Sequence, residues 1–284
     1  MEKKTLVCCS DPGGSNIIFY YLKNKNKKNI IYHLRGASKK IFNKKNIPFK
    51  DFCKYKINKI ITGTSNTDFE KNIILYGKKK NIKTISFLDH YTNYKKRFII
   101  KKKLILPDEI CAHDRYSFFL AKKILKNTKI SLKTNYYLKS FNSKKTVGNK
   151  YVKILFISEK KIINNQNITK RALHKFFKIL INSKRKLKKK IKVRIQLHPN
   201  EFLRKYHFNK SIGNLKVVKN ISLKKSLNWS NLVVGIHSYA LIISKKFKIK
   251  TFSILPVGNL KFNLPIKIPQ LSQESFIKVC NEKN

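Results

Sequence analysis

The sequence predicts an α/β chain built as two Rossmann-like halves, and three observations predict it. Apolar runs of four to six residues recur along the chain, as strands buried on both faces require. Each run ends in a polar or glycine-containing turn and gives way to a helix-period segment, the rhythm of βαβ units in a parallel sheet. A polar stretch, Lys139–Lys150, interrupts that rhythm near the middle of the 284 residues and reads as a linker. The expected domains are therefore 1–140 and 151–284, facing a cleft that holds the ligand.

In the first half the strand candidates are Thr5–Cys9, Ile30–Leu34, Lys59–Thr62, Thr84–Leu88 and Glu109–Ala112. Helices are expected at Asn16–Lys23, Ser38–Lys45, Thr67–Lys80 and Arg115–Lys126. Thr67 and Glu70 have capping-box spacing, and Asp114 is placed to cap the helix at Arg115. In the second half the strands are Val152–Ile157, Val193–Leu197, Leu215–Val218, Leu232–Ile236 and Thr251–Leu255. Helices are expected at Ile168–Lys188 and Leu223–Trp229, between Leu232–Ile236 and Thr251–Leu255, and at Gln273–Cys280. The basic run Lys184–Lys192 reads as the solvated end of a helix entering the next strand.

Composition narrows the function classes. No apolar stretch approaches the roughly 18 residues of a membrane span, and the N-terminal apolar run is too short for a signal peptide. Cys8, Cys9, Cys53, Cys111 and Cys280 form no CxxC pair and no metal-ligand spacing, which fits a reducing cytosol. The net charge of +53 invites a nucleic-acid reading, but only seven of the 66 basic residues are Arg, the residue that reads phosphates and base edges bidentately. The lysines are spread along the chain and accompany abundant Asn and Ile, a skew that one AT-biased mutational pressure accounts for. Nucleic acid is therefore not the expected partner. The charge suits anionic substrates or an anionic membrane surface.

The candidate site residues lie at strand ends. Asp11-Pro12-Gly13-Gly14-Ser15-Asn16 follows the first strand, where two glycines let a ligand approach the backbone, or where Asp11 or Ser15 caps a tight turn. After the fourth strand, Asp89 beside His90 is an acid/base pair in which the carboxylate tunes the imidazole. Asn93 and Arg97 share that loop, and Arg97 can hold a phosphate or carboxylate. Asp108, Glu109 and Asp114 read as structural, and His113 is open. In the second half, His198 is held extended by Pro199 and can donate to a phosphate or sugar oxygen, while Glu201 can accept from a hydroxyl. Gly235, His237 and Ser238 form a strand-to-helix turn suited to an anion. His33, His174 and His207 have no motif around them. No zinc spacing and no paired carboxylates for magnesium are present, so no metal is expected.

At His198-Pro199 and Gly235–Ser238 the chain resembles the two-domain glycosyltransferases of the GT-B fold. The nearest likeness is to the branch shared with UDP-N-acetylglucosamine 2-epimerases and CDP-glycerol glycerophosphotransferase-like enzymes, and it extends in pattern over nearly the whole chain. The resemblance implies that Gly235–Ser238 hold the donor diphosphate. It implies that Gly13, Gly14, Ser15 and Asn16, with Asn93 and Arg97, face the acceptor, and that no metal or other cofactor is used. Its implied activity is metal-independent transfer from a nucleotide-activated sugar or polyol phosphate to a glycan acceptor, in the cytoplasm or peripherally on the inner membrane face. Asp89 or His90, or else Asp11, would take the acceptor's proton, and His198 and Ser238 would stabilise the leaving diphosphate. One departure is Ile243, which stands where many relatives carry a ribose-binding Glu. The alternatives are an epimerase or hydrolase of the same fold, a degenerate non-catalytic member, and a basic nucleic-acid-binding protein.

Overall fold

The structure is a computed structural model that describes residues 2–24, 29–141, 150–159, 162–163, 166–198, 201, 214–219, 221–256 and 264–282. Pro199, Asn200, His207 and most of the expected linker lie outside the described residues. The chain divides into two compact units, Met1–Ser140 and Phe141–Asn284.

The first unit runs β1 (Lys4–Cys9), α1 (Pro12–Asn24), β2 (Ile30–Leu34), α2 (Ala37–Phe42), β3 (Ile57–Thr62), α3 (Asp68–Lys79) and β4 (Lys83–Phe87). A short antiparallel pair follows, β5 (Ile99–Ile100) with β6 (Lys103–Leu104), then β7 (Glu109–Ala112), α4 (Arg115–Ile124), β8 (Lys129–Leu132) and α5 (Tyr136–Lys139). Its main sheet has the order β2-β1-β3-β4-β7-β8, with every pair parallel. Alternate residues of β1 enter opposite cores. Val7 and Cys9 pack under α1 with Leu34, Ile61 and Phe87, while Leu6 and Cys8 pack with Ile60, Phe52 and Ile73 of α3. The sheet is covered on both sides, so its inner strands carry buried apolar runs such as Leu6–Cys9 rather than strict alternation. The order reverses between β1 and β3, and ligands of open α/β sheets bind outside the carboxyl ends at such a reversal.

The second unit runs β9 (Tyr151–Ile157), a two-residue pair β10 (Ile162–Ile163) and β11 (Gln166–Asn167), α6 (Ile168–Ser183), β12 (Lys190–Gln196) and β13 (Leu215–Val218). It continues with α7 (Leu223–Trp229), β14 (Leu232–Gly235), α8 (Tyr239–Lys246), β15 (Lys250–Ser253) and α9 (Gln273–Asn281). Its sheet is parallel in the order β13-β12-β9-β14-β15, which reverses between β9 and β14. Buried Phe156, Phe176, Val234 and Ile195 centre one core, which Phe276 and Cys280 of α9 close.

Several local expectations are corrected. The glycine-rich segment after β1 is helix, not loop: α1 begins at Pro12, whose fixed φ suits the first helical position. Thr67 stands at the N-cap of α3 but makes no side-chain cap: its hydroxyl pairs with the Ser65 hydroxyl at 2.8 Å, and the Glu70 side chain turns inward to Ser10 and Ser65. Asp114 does cap α4, in a capping box with Ser117. Helix α6 ends at Ser183 rather than Lys188, since Lys184–Lys186 tighten into a 3-10 turn before β12. Edge strand β8 and helix α5 escape the periodicity altogether, β8 because its residues are only half-buried or exposed.

Candidate functional site

In the first unit the strand ends at the sheet reversal carry a polar cluster. Glu70, 1% exposed, straps two of its loops together. Its Oε1 accepts from the Ser10 N–H at 2.8 Å and the Ser10 hydroxyl at 2.7 Å, and its Oε2 accepts from the Ser65 hydroxyl. Ser10 leads into Asp11 and α1, and Ser65 follows β3. Burial raises the Glu70 carboxyl despite these donors. Nothing near Glu70 in sequence marks it for this role except the helix start, which points to a cap instead.

Asp89 and His90 follow β4 and meet. Asp89 is 3% exposed, its Oδ2 lies 3.2 Å from His90 Nε2, and its Oδ1 accepts from the Thr64 hydroxyl at 3.3 Å. Burial alone would raise this carboxyl, but His90, Arg97 and His113 outweigh it and hold Asp89 at about 2. An ionised carboxylate only accepts, so the proton between the two belongs to His90 Nε2. The His90 side chain is 42% exposed, and the Tyr94 hydroxyl fixes its backbone by donating to the His90 carbonyl at 2.8 Å. Asp11 stands beside the pair, its carboxyl raised first by burial and then by Asp89, against the opposing pull of His90 and Arg97. Two carboxyls are thus driven apart in one cluster, an arrangement that assigns different proton roles to each.

The neighbouring expectations fare differently. Gly13 is a place of close approach, but to Asp89 rather than to open space: a Cβ there would sit 2.2 Å from Asp89 Oδ2. Gly14 lies against Gly63, where a Cβ would be 3.2 Å from Gly63 Cα. Ser15 is fully buried and donates to the Asp11 carbonyl at 2.6 Å, while Asn16 donates to the Pro12 carbonyl at 2.7 Å. Both side chains serve the first turn of α1. Arg97 is a correction: it is 4% exposed and spends its guanidinium on the Thr64 and Thr92 carbonyls, inside the protein. It braces the loop and depresses Asp89. Asn93 is exposed at φ 60, a turn position that Asn tolerates. His113 Nδ1 lies 3.0 Å from the Leu88 carbonyl, its side chain buried. Asp108 accepts from Thr84 N–H at 2.7 Å, a structural tie.

In the second unit, Ser158 and Glu159 leave β9 and connect the motifs on either side. The His198 N–H donates to the Ser158 hydroxyl at 2.8 Å and to Glu201 Oε2 at 3.0 Å, and the Ser158 hydroxyl donates to the same Glu201 oxygen. Glu201 is 4% exposed and pins the end of β12, which corrects its expected role as a partner for a substrate hydroxyl. On the other side of β9, the Glu159 carboxylate takes the His237 N–H at 2.7 Å and lies 2.8 Å from His237 Nδ1. Glu159 was not singled out by sequence, and its partner is 78 residues away. Gly235 permits close packing: a Cβ would be 3.0 Å from Leu241 Cδ2 and 3.3 Å from the Ile157 carbonyl. Ser238 is the N-cap residue of α8 without a side-chain cap, and its enclosed hydroxyl has no hydrogen-bond partner among the described residues. Ile243, on α8, is 1% exposed.

Among the described residues no group of three or more His, Cys, Asp or Glu is placed to hold a metal ion. No described helix is long and apolar enough to cross a membrane.

No protein-family model matches this chain, and no curated protein matches it in sequence. Solved structures do match. The glycotransferase of kitacinnamycin superposes with a TM-score of 0.60 at 8% identity, over 99% of this chain and 90% of that one. The wall teichoic acid polymerase TagF, with CDPG, gives 0.57 at 12% identity, over 98% and 78%. A Listeria monocytogenes protein described as a UDP-N-acetylglucosamine 2-epimerase gives 0.56 at 8%, over 89% and 79%. The chain has the GT-B fold. Within GT-B, the Asp89–His90 pair belongs to the N-terminal Rossmann-like unit, and the Ser158–Glu159 junction to the C-terminal one.

Proposed function

We propose that the protein is a metal-independent glycosyltransferase, taking a nucleotide-activated sugar or polyol phosphate to a glycan hydroxyl. The observation that carries the reading is the Asp89–His90 pair: a buried carboxylate held at about 2, 3.2 Å from Nε2 of an imidazole whose side chain is partly exposed. The carboxylate fixes the tautomer and stabilises the imidazolium that forms when Nδ1 takes the acceptor's proton. Asp11 is the second carboxyl of the cluster, kept closer to neutrality and suited to hydrogen-bonding the incoming hydroxyl.

The donor side is the C-terminal unit. The N-terminus of α8 and the enclosed Ser238 hydroxyl, which has no hydrogen-bond partner among the described residues, offer a helix start suited to a phosphate. That Glu159 already sets a carboxylate against the His237 N–H agrees with a site that attracts negative charge. His198, its backbone tied to Ser158 and Glu201 at the end of β12, is the residue we assign to the leaving diphosphate. The net charge of +53 supports work on anionic donors, at the inner face of an anionic membrane.

The test is a product assay with UDP-, CDP- and GDP-linked sugars and CDP-glycerol, with and without glycan acceptors. His90→Asn should lower turnover by about 10²–10⁴-fold with little change in melting temperature. Ser238→Ala should raise the donor KM. Both losses must fall on the same acceptor-dependent reaction. A product formed equally well without acceptor would move the assignment to an epimerase or hydrolase. Full activity in His90→Asn would end it.

A further inference from the structure

Away from the Asp89–His90 pair, the first unit contains a cavity of about 570 Å³ between the end of β2, the turn at Phe49 and α3. His33, Arg35, Phe49, Phe69, Tyr76 and Lys79 line it. The aromatic groups are ordered. His33 stacks on Phe69 with centroids 4.8 Å apart and planes at 26°, and Arg35 Cζ lies 6.0 Å from the centre of the same ring. Phe49 meets Tyr76 edge-on at 5.4 Å and remains 50% exposed.

The polar groups are equally specific. His33 Nδ1 lies 2.7 Å from the Ile47 carbonyl and must donate to it. Burial lowers the His33 imidazolium, so the ring is a neutral donor at Nδ1 and an acceptor at Nε2. Asp68 is already paired with Lys71 at 2.9 Å. Neither Arg35 nor Lys79 has a carboxylate partner among the described residues. The cavity thus combines ring faces, one hydroxyl acceptor and two uncompensated cations.

We propose that this cavity binds an acidic saccharide. Ring faces pack against the C–H faces of a pyranose, His33 Nε2 accepts from a hydroxyl, and Arg35 engages a carboxylate with its forked donors. The end of β2 that carries Arg35 adjoins the end of β1, where the Arg35 N–H donates to the Cys9 carbonyl at 3.0 Å, two residues before Asp11. On the transferase reading, the saccharide would serve as the acceptor, anchored by its acid group with another hydroxyl directed to His90. That role rests on the transferase reading; the binding itself does not.

Calorimetric titration of the full chain with a galacturonic acid trisaccharide, and with a neutral galactose trisaccharide, tests the proposal. Because a chain of this charge attracts any anion, the variants decide. Arg35→Gln should weaken the acidic probe at least tenfold and Phe69→Leu at least fivefold, while exposed Lys44→Gln should leave it unchanged. The neutral probe should bind at least tenfold more weakly than the acidic one. Saturation-transfer contacts from the aromatic rings to the sugar protons should vanish in Phe69→Leu, and its thermal melt establishes that it is folded. Equal binding of both probes, equal losses in Arg35→Gln and Lys44→Gln, or undiminished binding in folded Phe69→Leu overturns the proposal. Binding by the wild-type chain with no transfer to the bound trisaccharide, while another acceptor is glycosylated, overturns only the assigned role as acceptor.

Discussion

Glu70 stands three residues after Thr67, in the spacing of a capping box, yet its carboxylate ties Ser10 to Ser65 instead. Its folded carboxyl is raised, so the fold prefers the protonated form and gains stability as pH falls through that raised value. Near neutrality the ionised form carries a desolvation penalty that an amide of the same shape avoids. Glu70→Gln keeps an oxygen for the Ser10 donors and should unfold at the same or higher urea concentration at pH 7.5. That advantage should shrink toward acid pH, as the wild-type carboxyl takes up its proton. Glu70→Ala leaves the Ser10 amide and the Ser65 hydroxyl without their acceptor and should cost about 2–3 kcal/mol. Equal destabilisation by Gln and Ala would mean that the charge, not the hydrogen-bonding shape, holds the loops. Residues of this kind were not readable beforehand because their partners are distant: Glu70 bonds across 60 positions and Glu159 across 78. Asp89 and His90 were readable because they are consecutive and need only a strand end to bring them out together.

Among the elements, the inner strands were legible and the helix starts less so, for a physical reason. A strand covered on both faces is apolar along its buried stretch, and Leu6–Cys9 of β1, Ile60–Ile61 of β3, Ile154–Ile157 of β9 and Leu232–Val234 of β14 announce themselves that way. Helix α1 begins in Pro-Gly-Gly, which reads as a turn, because the glycines are present for packing and not for freedom of φ. That distinction makes a prediction. Gly13→Ala places a methyl 2.2 Å from Asp89 Oδ2, so either α1 shifts or the carboxylate leaves His90. We expect a loss of about 1–3 kcal/mol in urea unfolding, as for other overpacked sites. Transfer activity should fall by more than that loss of folded protein accounts for. Asn16→Ala, one turn on, only releases the Pro12 carbonyl and should leave both nearly intact. If Gly13→Ala retained full activity, the contact between α1 and Asp89 would have no part in setting His90.

For the whole molecule the deciding quantity is the imbalance of 66 basic against 13 acidic residues. Even if every acid found a basic partner, most lysines would face others of the same sign. Several acids are withdrawn from that task, since Asp89, Glu70 and Glu201 are buried on other partners. The compact state is therefore opposed by its own field, and compaction brings charges closer than they are in the unfolded chain. Salt shortens the reach of that repulsion, from about 30 Å at 0.01 M to about 8 Å at 0.15 M, while leaving buried contacts such as Asp89–His90 largely untouched. The melting temperature should thus rise steadily between about 0.02 and 0.3 M sodium chloride. Binding of the acidic trisaccharide should weaken over the same range without losing its dependence on Phe69, because ring contacts do not screen. Opposite signs for stability and affinity separate a diffuse positive surface from a built site. A melting temperature that fell with added salt would show that attractive pairs outweigh repulsion, and that the lysines are matched in ways the 13 acids alone do not supply.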